Sequence, residues 1–438
     1  MMFEKGVYWL LVFLLPAQLA YHFWPDYSFV FGIKVDYLSP AVYLTDILVF
    51  LLAAISYQKL KDRINRKLIT KKSRVVLIKL IIVTALIVFA NITVAKEAPV
   101  ALLKWIKIFE MLLLGVYVFL NKRFQKATLS AFFYSILFFC SVGIAQFVLQ
   151  KTIGGPFYLL GERSFSVTTP GIALTSLLGR DFLRSYSTFP HPNAFAGFLG
   201  AGVALVLLLN SQLKIFSKKK IWLFILVSLT AFLLTFSLGA IISGMLTLLC
   251  YFVVTKKIFY CRPQAKTAIF KSWMKLESFL GIKNNGVYAI AVYAVVFLSL
   301  LMTVPQKLIT NRFFLPESVT LRIQQAGIAG KMFINNPLFG VGLNNFIPSV
   351  SGNIVAGTSL FLQPVHNIYL LLLTEAGMVG FAVFVYLTGK LLTTKINIRY
   401  LLPIFFVILT GFFDHYWFTL QQNQLLLALL LGVSLWKK

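Results

Sequence analysis

Apolar runs of about seventeen residues or more recur along the chain, parted by short polar stretches. Soluble domains bury their apolar residues in amphipathic elements, so such a density of long uncharged runs reads as a multispan membrane protein. Only helices or closed barrels satisfy the backbone in lipid, and barrels alternate polar and apolar positions over strands of about ten residues. These runs are continuous and rich in Leu, Ile and Phe, so helices are predicted. They centre on 7–24, 40–57, 75–95, 98–120, 128–150, 193–210, 221–236, 238–255, 287–304, 366–388, 399–413 and 417–436. The split at Phe236–Ser237–Leu238–Gly239 is the least marked boundary. Residues 1–438 thus read as one polytopic domain: an all-α integral membrane protein of about twelve transmembrane helices, with a large loop between helices nine and ten. The first run lacks a small-residue cleavage site, so it is expected to stay as a span.

The chain is 59% hydrophobic and 12% charged, with a formal net charge of +28. That charge first suggests nucleic acid, but its placement excludes it. With the N-terminus inside, the inner loops and both termini hold 28 of the 41 Lys and Arg and 3 of the 13 acids. Twelve basic and ten acidic residues fall to the other side, with Lys79 in a span. This is the positive-inside asymmetry, and the basic patches are expected to meet anionic lipid headgroups. Cys140, Cys250 and Cys261 show no paired spacing and read as small apolar residues.

Two loops on the outer side are long. The first, 151–192, is broken by Gly and Pro, and its apolar pieces (FYLL, IALTSLL) are expected at the interface. The second, 305–365, contains SVTLRIQQAGIAGKMFI at helical spacing, then NNPLFGVGLNNF, where Pro337 stops the helix and Gly340 and Gly342 allow tight backbone.

Candidate chemistry collects on that face. His366 opens HNIYLLLLTEAGMVG at the point where the long loop re-enters the membrane. With an unperturbed pKa of about 6.5, an imidazole there can accept a proton at neutral pH; an ordinary boundary histidine bonded to a headgroup is the bland alternative. Outside arginines are Arg163, Arg180, Arg184, Arg312 and Arg322. Guanidinium forks bind phosphate oxygens bidentately, although pairing with Glu162, Asp181 or Glu317 would also account for them. Arg184 is favoured in its loop because RSYSTFPHPN runs straight into the sixth span, where Asn193 could cap the helix. His191 reads as structural or substrate-lining, and Asp414–His415 as a pair that could orient something. Trp417, Gln421 and Gln422 are candidates to line an acceptor side. Outside acids show no Asp-x-Asp pair and histidines no His-x-x-x-His, so no metal and no cofactor is expected.

R-x-x-S-T-F-x-H-P-N before a span, L-R followed by N-P-L-F-G-V-G-L-N-N-F, and then H-N-x-Y-L-x-L-L-x-E-x-G-x-x-G together resemble the O-antigen ligase / O-antigen polymerase superfamily, over roughly residues 180–385. The resemblance implies a membrane glycosyltransferase fold in a bacterial cytoplasmic (inner) membrane, termini cytoplasmic, with loops 151–192 and 305–365 periplasmic. It also implies a donor glycan on undecaprenyl diphosphate and a glycan or lipid acceptor. His366 matches the family's catalytic base, Arg322 and Arg184 its diphosphate-binding arginines, and Asn367 and Glu375 its supporting residues. One departure is Leu238, where many members carry arginine; Arg180 or Arg312 could supply that cation.

The expected activity is an inverting, metal-independent transfer of the glycan to an acceptor hydroxyl, of the ligase type, with lipid A-core or another surface acceptor. A polymerase using the same donor is the alternative. A transporter or flippase for lipid-linked sugars is the rival from another class; the lack of a visible inverted repeat and the scarcity of charges within spans count against it. Lys107 and Glu110 are spaced for pairing on one helix.

Overall fold

The computed structural model describes residues 2–67, 71–177, 179–255, 317–351, 362–393 and 400–436. The expected span 287–304, Cys261 and Arg312 lie outside the described residues. The chain is mostly helical. In order come α1 (Met2–Phe13), α2 (Leu44–Lys67), α3 (Lys71–Thr93), α4 (Ala98–Leu120), α5 (Gln125–Leu149), α6 (Pro192–Leu213), α7 (Lys218–Leu234) and α8 (Leu238–Thr255). After the gap come α9 (Glu317–Asn335), α10 (Phe346–Ser351), α11 (Ile368–Thr393), α12 (Leu401–Thr410), α13 (Tyr416–Thr419) and α14 (Gln421–Ser434). Among the described residues, three apolar stretches are long enough to cross a membrane: Lys122–Leu149, Pro192–Leu213 and Ile368–Lys390. Shorter apolar helices run over Leu77–Thr93, Leu238–Tyr251 and Leu401–Thr410.

The first expected span needs correction. Its helix ends at Phe13, and the chain then turns through Pro16 into a strand at Ala20–His22. A ring without an N–H stops the helix, and three residues of strand pair with Ala41–Tyr43 just ahead of α2. A second ladder joins Phe29–Val30 to Ile33–Lys34, and a third joins Leu174–Leu177 to Arg180–Leu183 inside the loop 151–192. The all-helical expectation missed all three, because strands of two to four residues carry no readable period. At the uncertain split, the chain does break: α7 stops at Leu234, Phe236 takes φ 48°, and α8 starts at Leu238.

One large apolar core joins α1, α2, α4, α5, α6, α7, α12 and α14, with Leu11, Phe132, Phe198, Leu401 and Leu429 among its buried members. A smaller core at one end packs Val30, Val35 and Leu38 of the first ribbon, the segment joining α1 to α2, against Ala329 of α9, Phe346 and Ile347 of α10, and Leu370 and Leu371 of α11. The late loop is therefore seated on the first ribbon. Glu4 at the other end pairs with Lys59 at 2.8 Å and Arg123 at 2.9 Å, residues the charge pattern assigns to one side.

Charge within the helices is less scarce than the sequence suggested. Lys107 pairs with Asp46 at the start of α2 and, 3.5 Å away, with Glu110 on its own helix. Gln421 donates to both carboxylates, at 2.5 Å to Asp46 and 3.1 Å to Glu110. Lys104 donates to the carbonyl of Phe418 and lies over its ring. Buried charges of this kind persist only when paired or hydrogen-bonded: Lys107 has its two carboxylates, and Lys104 a carbonyl and a ring face.

Candidate active site

α11 is broken, and the break explains the motif E-x-G-x-x-G. Gly377 takes φ 65°, ψ −169°, a conformation open in practice only to glycine. The amides freed beyond the break turn to the loop: Met378 N–H donates to the Pro337 carbonyl at 2.8 Å and Val379 N–H to the Leu338 carbonyl at 3.1 Å. In return Val341 N–H donates to the Thr374 carbonyl at 3.0 Å. Gly340, at φ +69°, lies so close to the Thr374 and Glu375 backbone that a Cβ would stand 2.5 Å from it. The run NPLFGVGLNNF is thus stitched into a helix rather than hanging from it.

Glu375 is the clasp of that seam. Its fully buried carboxylate accepts from the Tyr37 hydroxyl, from Asn344 N–H at 2.9 Å and from Phe346 N–H at 3.2 Å. Among the described residues it makes no contact with His366. Its support is indirect, through the loop and the first ribbon.

His366 stands just before α11. Asn367 caps that helix, its Oδ1 accepting from Tyr369 N–H and Leu370 N–H at 3.0 Å each. Ile368 N–H donates to the Gly411 carbonyl at 2.8 Å, which brings the end of α12 alongside. The result places His366 Nδ1 3.4 Å from Asp414 Oδ1, with the imidazole 20% exposed. That separation is at the long edge of hydrogen-bonding reach, and Nδ1 has no well-formed partner. His415 Nε2 lies 4.0 Å from the same oxygen, and the two imidazole rings are 5.1 Å apart.

Asp414, read from the sequence as half of a pair with His415, is the hub of the cluster. Its Oδ2 accepts from Asn193 Nδ2 at 3.0 Å; Asn193 Oδ1 accepts from Arg184 Nη2 at 2.8 Å. Arg184 Nε donates to the Thr235 carbonyl at 2.6 Å, in the break between α7 and α8. Arg322, from α9, donates to the Phe413 carbonyl at 2.9 Å, one residue before the hub. Two guanidinium groups therefore flank one carboxylate, and neither is ion-paired to an acid among the described residues. Burial lowers the Arg184 pKa to about 10, which leaves it charged at neutral pH. Burial opposes charge on Asp414, but the His366 imidazole beside it outweighs this and holds the carboxyl well below its ordinary range.

The N-cap of α6 is His191 rather than Asn193. His191 Nδ1 accepts from Asn193 N–H at 3.2 Å, which frees the Asn193 side chain to bridge Arg184 and Asp414. Capping through Nδ1 needs an unprotonated nitrogen there, and burial pushes the His191 pKa down to about 4. Folding thus favours the neutral ring, so its stabilisation is present above the unfolded value of about 6.5 and is lost as pH falls towards 4. Thermal melts of detergent-purified protein should show stability falling between pH 6.5 and 4, with one such group adding a limiting slope of about 1.4 kcal/mol per pH unit. His191→Ser keeps a cap acceptor that does not titrate and should flatten the slope; identical slopes in both proteins would refute the assignment.

The remaining candidates separate. Arg180 is exposed at the turn of the third ladder, apart from the cluster among the described residues. Leu238 is 70% exposed at the start of α8, and its neighbour Gly239 packs on Phe413, whose carbonyl holds Arg322. Arg322 of α9 is the cation that bonds that carbonyl among the described residues. Trp417, Gln421 and Gln422 face the core: Gln422 donates to the Pro16 and Thr188 carbonyls, and Trp417 to Thr410 Oγ1 at 2.8 Å. They tie helices together and do not line an acceptor surface.

Residues 223–385 match the protein family described as O-antigen ligase. The matched stretch holds Arg322, His366, Asn367 and Glu375, and it excludes Arg184, Asn193 and Asp414. Searches of curated proteins and of solved structures gave no match. The apolar helices, together with this match over one segment, mark the chain as a multi-pass membrane protein.

Proposed function

From an O-antigen ligase family domain at residues 223–385, we propose that the chain is an inverting, metal-independent glycosyltransferase of a bacterial inner membrane, its termini cytoplasmic. The donor is a glycan on undecaprenyl diphosphate and the acceptor a hydroxyl of lipid A-core or another surface glycan. One observation carries this reading: an imidazole and two guanidinium groups without a carboxylate partner among the described residues meet around Asp414.

The acceptor hydroxyl gives its proton to His366 Nε2, the nitrogen turned away from Asp414, as its oxygen bonds to the anomeric carbon. The bond from that carbon to the diphosphate oxygen breaks from the opposite face, which inverts the centre. The diphosphate departs with the electron pair, and its charge falls to Arg184 and Arg322, each already oriented by a backbone carbonyl. Asp414 fixes the imidazole plane and stabilises the imidazolium that forms, as carboxylates do beside general bases elsewhere.

Purified protein supplied with lipid-linked repeat units, with and without a lipid A-core acceptor, tests the proposal. A single new glycosidic product that requires the second acceptor is the expected outcome. A ladder of lengths from donor alone assigns a polymerase instead. Movement of labelled lipid-linked sugar across a proteoliposome without any new glycosidic bond would overturn the enzymatic reading.

A further inference from the structure

Three potential metal-ligand atoms, two imidazole nitrogens and one carboxylate oxygen, face one another in the cluster. His415 Nδ1 lies 2.8 Å from Thr419 Oγ1, and the Thr419 hydroxyl itself donates to the His415 carbonyl at 3.1 Å. With the threonine proton on that carbonyl, Nδ1 carries the hydrogen and the lone pair of His415 sits on Nε2. That nitrogen points at Asp414 Oδ1, 4.0 Å away. The other oxygen of Asp414 is taken by Asn193, while Oδ1 accepts from the His415 backbone N–H at 2.8 Å and keeps a second lone pair for the side of the two rings. His366 Nδ1 completes the group at 3.4 Å from Oδ1, buried and without a formed hydrogen bond.

We propose that His366 Nδ1, Asp414 Oδ1 and His415 Nε2 form a site for a divalent transition-metal ion such as Zn²⁺, and that its occupancy inhibits the transferase. The three ligand atoms lie within 4.8 Å of one another. Bonds of about 2.0–2.2 Å in a tetrahedral arrangement set neighbouring ligand atoms about 3.3–3.5 Å apart, so only a small closing of His415 towards Asp414 is needed. Two imidazoles and one carboxylate suit zinc, with a water in the fourth position. The outer shell is in place as well: Asn193 orients the carboxylate and Thr419 selects the tautomer of His415, the kind of partner that metal-bound histidines and carboxylates ordinarily have.

Inhibition follows from the tautomer and rests on the reading of His366 as the base. An imidazole that gives its Nδ1 lone pair to a metal carries its hydrogen on Nε2, so no lone pair remains to take the acceptor's proton. The ion also neutralises Asp414, removing the charge that would stabilise the imidazolium.

The test uses the full chain in detergent, stripped with chelator and titrated with Co²⁺ as a spectroscopic probe, then with Zn²⁺ as competitor. Expected are tetrahedral ligand-field bands saturating at one ion per chain and displaced by Zn²⁺. Affinity should fall at least tenfold in His415→Phe and in Asp414→Asn, with each variant checked for a monodisperse peak and a cooperative melt. His415→Gln offers a smaller change should His415→Phe fail to fold. In the transfer assay Zn²⁺ should reduce the rate at least tenfold, and chelator should restore it. Binding that survives all three substitutions overturns the site; tight binding that leaves transfer unchanged overturns the inhibition. The cobalt spectrum needs no turnover, so it decides the site even for a protein that transfers nothing.

Discussion

Replacing His366 by Ala should reduce glycan transfer by about 10²–10⁴-fold while the protein remains folded in the membrane. The imidazole is the group placed to take the acceptor's proton, and without it the hydroxyl must attack while still protonated. The cost in stability should be small. The ring is partly exposed, its longest-range tie is the 3.4 Å approach to Asp414, and its Nδ1 has no formed hydrogen bond. Its removal therefore leaves no buried donor unpaired, although it withdraws the neighbour that holds Asp414 ionised. Product formed per unit of membrane-inserted protein, alongside a melting curve, is the measurement. Transfer at the wild-type rate in a well-folded His366→Ala protein removes the base from the mechanism.

Replacing Gly377 by Ala should act in the opposite way, through the fold and not the chemistry. A Cβ at this position would stand 2.3 Å from the Leu338 carbonyl oxygen and 2.6 Å from Gly340 N, both backbone atoms that cannot swing aside. The residue would in addition be held at φ 65°, ψ −169°, where an L side chain is strained. Strain and overpacking each cost about 1–3 kcal/mol, so together they take a large share of a marginal stability. Relief requires the loop to leave the helix break, which unpairs Met378 and Val379 N–H and strips Glu375 of the Asn344 and Phe346 amides. A melting temperature lower by ten degrees or more, or loss of folded protein from the membrane, is expected. Glu375→Gln keeps an acceptor oxygen at the same place and should be milder. A Gly377→Ala protein with the parent's melting curve would show that the seam is not what seats the loop.

These two substitutions divide the motif H-N-x-Y-L-x-L-L-x-E-x-G between two tasks. Its first residue faces the cluster around Asp414, whereas its last two hold NPLFGVGLNNF in the break of α11. As a line of letters the motif looks like one site. Glu375 lies nine positions after His366, and the first turns of α11 carry the two to different neighbours: α12 and α13 for the first, the first ribbon and the loop for the second.

Helices were legible because lipid leaves the backbone no other partner than itself, so long apolar runs report them directly. The bounds of α4, Ala98–Leu120, coincide with the expected span, and α8, Leu238–Thr255, does as well. The helical stretch of the late loop appears as α9, and the tight backbone at Gly340 and Gly342 shows in their positive φ. The short ladders were not legible, since a pair of strands such as Phe29–Val30 and Ile33–Lys34 owes its existence to packing on Leu38, Phe346 and Leu371, far along the chain. Asn193 illustrates the same limit: its place after a proline suggested a cap, but the neighbouring His191 ring took that role.

What the sequence determined by itself is the membrane character, the uneven distribution of charge between alternate loops and the residue types those loops carry. Each depends on transfer of side chains between water and lipid, a property that adds up along the chain and needs no partner. What only the tertiary structure decided is which of those residues act together. Arg184, Asn193, Arg322, His366, Asp414 and His415 come from four separate segments, and they meet because α6, α9, α11 and the turn after α12 end at one place. Hydrogen bonds and charge pairs act over a few ångströms, so the cluster exists only once packing has brought those helix ends together.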